Sequence, residues 1–76
     1  MNANHSRATA DKRNISELRD LIQTAKKRKK IGADAVGEYV GEDPVRGSVY
    51  QIVSDGVKWT SWFDFQGHAR YERNKE

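Results

Sequence analysis

Asp55-Gly56 sits between two runs of alternating, β-rich residues, 48–54 and 57–65, and no other feature constrains the chain as much. A two-residue type I′ hairpin loop needs positive φ at both central positions, which Asp-Gly adopts readily. Such a loop pairs Ser54 with Val57, Ile52 with Trp59, Tyr50 with Ser61 and Val49 with Trp62. Side chains alternate across a strand, so one face then carries Tyr50, Ile52, Val57, Trp59, Phe63 and Phe65.

The rest of the chain builds outward from this hairpin. Residues 35–41 read as a first strand, weakened by Gly37 and Gly41, and residues 42–47 as a loop containing Pro44 and Gly47. Gln66-Gly67 reads as a second tight turn, followed by a charged edge strand over 68–73 whose charges discourage edge-to-edge aggregation. With a two-residue turn there, Ala69 and Tyr71 join Val49, Gln51, Val53, Lys58, Thr60, Trp62 and Asp64 on the other face.

Before the sheet, the hydrophobic period is that of a helix. Ile15, Leu18, Leu21, Ile22 and Ala25 form one apolar stripe, so the spacing predicts a helix over 15–30. Asn14 with Glu17 resembles a capping box, and Gly32 offers a C-terminal stop. Residues 1–13 hold no large apolar side chain after Met1 and read as a disordered basic tail to a single domain over 14–76.

The fold class expected is therefore α+β: one amphipathic helix on one face of a three- to four-stranded antiparallel meander. Its core would be Leu18, Leu21, Ile22, Ala25, Ile52, Trp59, Phe63 and Phe65, with Val36, Val40 and Tyr50 contributing. Trp59→Ala would unfold so small a domain, since truncating a buried Trp costs about 3–5 kcal/mol.

Charge divides the chain in two. Residues 1–30 carry nine Lys/Arg against three Asp/Glu, a net of +6; residues 31–76 carry five against eight, a net of −3. Five consecutive cations, Lys26, Lys27, Arg28, Lys29 and Lys30, end the helix, and Arg7, Lys12 and Arg13 lie in the tail. A helix dipole accounts for one or two terminal cations. The surplus suits neutralisation of phosphates or of an acidic protein surface.

Trp62 and Tyr71, with Lys58 and Arg73, suggest a second contact surface on the sheet face that one helix cannot cover. Three readings stand for this face: a larger protein partner or a second copy of the chain docks there, the bases of a single-stranded nucleic acid stack there, or the small sheet curls and buries both faces. The carboxylates Asp34, Glu38, Glu42 and Asp43 match no calcium loop and read as solvated surface, able to fold back on the basic helix end.

Catalysis and cofactors find little support. The chain has no cysteine, and its two histidines, His5 and His68, lie far apart, so neither thiol chemistry nor a metal site is expected. It contains no Gly-rich phosphate loop, nucleophile elbow or triad. No apolar run reaches the roughly 18 residues of a membrane span, and the first residues show no secretory signal, so a cytoplasmic location is expected. The expected function is a non-enzymatic regulator that binds nucleic acid. The rival is a modulator or inhibitor docking on a larger machine of transcription or replication.

Overall fold

The computed structural model describes the backbone of residues 2–75 and the side chains of residues 14–75. One helix, α1 (Asn2–Lys27), precedes four strands: β1 (Val36–Asp43), β2 (Gly47–Ser54), β3 (Val57–Phe63) and β4 (Ala69–Arg73). The sheet is antiparallel throughout, in the order β1-β2-β3-β4. α1 includes residues 2–13, where a disordered tail was expected; the side chains of residues 1–13, Arg7, Lys12 and Arg13 among them, lie outside those described.

The central hairpin has the register that Asp55-Gly56 dictates. Both turn residues hold positive φ, 53° and 76°, and Ser54↔Val57, Ile52↔Trp59, Tyr50↔Ser61 and Val49↔Trp62 are the observed pairs.

The second hairpin departs from expectation by one residue. Its loop is Phe65-Gln66-Gly67, closed by Asp64 N–H donating to the His68 carbonyl at 3.0 Å and Gly67 N–H to the Asp64 carbonyl at 2.9 Å. Asp64 Oδ1 accepts the Gln66 and His68 amides at 2.9 and 2.8 Å, and Gly67 takes φ 84°. This carboxylate-held turn adds a residue that a two-residue loop lacks. Because strand side chains alternate, a one-residue shift inverts the whole of β4. Phe63 pairs with Ala69 and Ser61 with Tyr71, so Ala69 and Tyr71 face the helix and Trp62 lies on the opposite face, separated from Tyr71. Phe65, expected in the core, is 96% exposed on the loop.

The helix also differs in its details. Asn14 lies within α1 and does not cap it; the Tyr50 hydroxyl donates instead to Glu17 Oε1 at 2.6 Å, with Asn14 Oδ1 3.3 Å away. The helix stops before Gly32. Lys30 N–H donates to the Ala25 carbonyl at 2.9 Å and Lys29 N–H to the Lys26 carbonyl at 3.0 Å, with Lys29 at φ 60°. That pair of bonds is a Schellman closure with lysine in the left-handed position where glycine is usual.

The buried core is small: Leu21, Ala25, Ile31, Tyr50 and Ile52, with Leu18, Ile22, Ala35, Trp59, Phe63, Ala69 and Tyr71 packed around it. Leu21 and Ala25 are one turn apart on α1 and share this core with Tyr50 and Ile52 of β2. Val36 and Val40, expected to contribute, are 64% and 60% exposed because β1 is an edge strand with a bulge after Tyr39. Trp59 packs at the margin of the core, so its truncation should destabilise less than full burial implied.

Gly37 sets how closely α1 approaches the sheet. A Cβ there would meet Leu18 Cδ1 at 2.8 Å and the Gln51 carbonyl oxygen at 3.2 Å. Gly37→Val should therefore push the helix outward and destabilise by about 1–3 kcal/mol, as overpacking does. Chemical denaturation of the two proteins measures this.

Candidate nucleic-acid interface

The geometry of the basic helix end follows from the Schellman closure. Only Lys26 and Lys27 lie in the last turn of α1. Beyond α1, Arg28 and Lys30 reach over residues of β3 and β4, and Lys29 lines a recess with Arg73. Arg28 Nη1 donates to the Ala69 carbonyl at 3.5 Å, and its guanidinium lies 5.7 Å from the Tyr71 ring centre. Lys30 Nζ lies 5.5 Å from the Trp59 ring centre and 5.9 Å from that of Tyr71. Tyr71 is fixed beneath them by its hydroxyl, which donates to the Leu21 carbonyl. Burial pushes its phenol above the ordinary range.

A polar latch holds this loop to the β2–β3 hairpin. Gly32 N–H donates to Ser54 Oγ at 3.0 Å, Ser54 Oγ–H to Asp34 Oδ1 at 2.9 Å, and Asp55 N–H to Asp34 Oδ2 at 2.8 Å. The Asp55 amide, then the Ser54 hydroxyl, hold the Asp34 carboxyl below its usual range. Asp43 and Asp64 are lowered in the same direction, first by main-chain amides of Val45 and His68 respectively.

A depressed folded value means that the stabilisation is complete above the unfolded value of about 3.9 and is lost as pH falls through the folded one. Thermal melts followed by circular dichroism should therefore be level from neutral pH down to about 5 and fall in Tm below about 4. Asp34→Ala should lower Tm at neutral pH and lose less on acidification than the parent.

Three recesses adjoin along the β4 side of the molecule. The first, about 540 Å³, is lined by Lys26, Lys29, Lys30, Arg73 and Trp59 together with Asp34 and Asp55. It shares Val57 and Arg73 with a second, about 620 Å³, that also holds Lys58 and Lys75. It shares Lys30 with a third, about 430 Å³, that holds Arg28, Arg70, Tyr71, Trp62 and Glu72. Together they present eight cations, Lys26, Arg28, Lys29, Lys30, Lys58, Arg70, Arg73 and Lys75, against three carboxylates, Asp34, Asp55 and Glu72.

Arg70 pairs with Asp64 at 3.2 Å. Among the described residues no carboxylate lies within ion-pair distance of Lys26, Lys29, Lys30, Lys58 or Arg73. Lys27 is exposed on the last turn of α1, outside these recesses.

The residues expected to form one aromatic docking surface are divided. Lys58 and Trp62 lie on the face away from the helix, whereas Tyr71 and Arg73 lie on the helix side. Trp62 is covered by the Arg46 guanidinium 4.4 Å from its ring centre, and Arg46 is held by Glu72 at 3.5 Å. Arg73 instead shares a recess with Lys26, Lys29 and Lys30, while Arg70, a charge of the expected edge strand, and Lys75, just beyond that strand, line the recesses on either side. Of the expected acidic group, only Asp34 reaches the basic helix end; Glu38, Glu42 and Asp43 lie on β1, at the other edge of the sheet.

Comparison with protein-family models, curated proteins and solved structures finds no match to this chain. Among the described residues no helix is long and apolar enough to cross a membrane.

Lys29 offers a way to separate charge from fold. A non-glycine residue in the left-handed region costs about 1–2 kcal/mol. Lys29→Gly should thus raise stability by about 1 kcal/mol, net of glycine's greater chain entropy, while removing one cation from the strip. Urea unfolding and a binding assay on the same preparation would read both effects. A less stable variant would refute the strain argument.

Proposed function

We propose that this protein is a non-enzymatic nucleic-acid-binding regulator whose contact surface is the basic strip over the β4 edge. One observation carries the reading. The half of the chain with net charge −3 places four of its five cations, Lys58, Arg70, Arg73 and Lys75, in the recesses that adjoin the basic helix end, Arg73 on the helix side and Lys58 and Arg70 on the opposite face. A solvated helix terminus needs no such gathering from separate strands. A polyanion rewards it, because each phosphate neutralised releases condensed counterions. Cations spread over a loop, a strand end and an edge suit contact with the backbone better than readout of base edges.

The test is direct binding by fluorescence anisotropy with labelled single and duplex oligonucleotides at low ionic strength. Binding that weakens steeply with salt supports the proposal. Absence of binding to every oligonucleotide at low salt removes it.

A further inference from the structure

We infer that the strip takes single-stranded nucleic acid, DNA or RNA, with one unstacked base on Trp59; this rests on the nucleic-acid reading above. Two features point there. The first is shape: the cations rim recesses of about 540 and 430 Å³, within the roughly 300–1,000 Å³ that accommodates a small molecule. A duplex presents a convex backbone with its bases already stacked, and it touches only such a rim. A single strand can turn a base inward.

The second feature is what lies inside. Trp59 lines the first recess and Tyr71 the adjoining one, and Lys30, common to both, covers the two rings at 5.5 and 5.9 Å. Aromatic rings under a track of cations are the working parts of single-strand platforms, which tolerate any sequence because every base has a π-face. Lys30 is exposed. A cation–π contact at an exposed site is weaker than base–aromatic stacking, so a base can displace the ammonium, which then meets the adjacent phosphate.

The experiment uses the full chain with oligothymidylate and oligouridylate of about 15 nucleotides and a DNA duplex of equal length. Expected are binding of one or both single strands at least about tenfold tighter than the duplex, quenching of tryptophan emission at saturation, and a loss of about tenfold in single-strand affinity for Trp59→Leu. The two single strands separate DNA from RNA as the preferred source. Equal or tighter duplex binding, or saturation with single strand without quenching, overturns the inference while leaving the basic-strip reading intact. Failure of all three probes to bind overturns both. Should Trp59→Leu fail to fold by circular dichroism, the strand preference and quenching of the parent protein decide the matter.

Discussion

Replacing Lys29, Lys30 and Arg73 with alanine should flatten the salt dependence of nucleic-acid binding and, at low salt, lower affinity by several orders of magnitude. Counterion release gives log K a slope of about −0.9 per phosphate neutralised on duplex and about −0.7 on single strand. If the cations not held by a carboxylate engage about six phosphates, affinity falls roughly a thousandfold between about 50 and 200 mM salt. Losing three contacts should reduce the slope by about 2–3.

The comparison that gives this meaning is a charge change of similar size on the other edge. Alanine at Glu38 and Asp43, on β1, should leave the slope nearly unchanged. Equal slopes for parent and basic-strip variant would show that these cations do not contact phosphate, whatever else the protein binds.

The largest expected loss of stability is Leu21→Ala. Leu21 is fully buried, and its main-chain carbonyl accepts the Tyr71 hydroxyl, so the cavity would open where helix, β2 and β4 meet. Leu→Ala at such sites costs about 2–5 kcal/mol. At about 0.05–0.15 kcal/mol per residue, a chain this short has only about 4–11 kcal/mol in total. Leu21→Ala should therefore be partly unfolded at 37 °C, as thermal denaturation would show. Phe65→Ala, by contrast, removes a larger side chain that is 96% exposed and should change stability by no more than about 0.5 kcal/mol. A Leu21 variant that melts with the parent would mean that α1 does not pack as described.

How far the sequence foretold this arrangement depends on where each register is decided. In the central hairpin, two adjacent residues with the right dihedral tolerance decide it, and the pairing read from Asp55-Gly56 is the one observed. In the next hairpin it is decided by Asp64, whose side chain accepts amides two and four residues away. Gln66-Gly67 looks like a tight turn until that carboxylate is considered, and the one-residue difference exchanges the two faces of β4.

The apolar stripe of α1 placed Leu21 and Ala25 correctly. It could not show that Ile31, beyond the helix, closes the core. The basic run was plain in the sequence. Its junction with Arg73 and Lys75 was not, because that proximity exists only once β4 is paired in its true register.

The separation of acidic β1 from basic β4 has a kinetic consequence. Three inter-strand steps put the two edges about 14 Å apart, farther than the Debye length of about 8 Å at physiological ionic strength. The molecule therefore has two poles that a charged surface senses separately. In the field of a polyanion it experiences a torque as well as an attraction, turning the helix-end loop forward before contact. Encounter then begins from a narrow set of orientations, and dilution of salt should speed association through alignment as well as through pull.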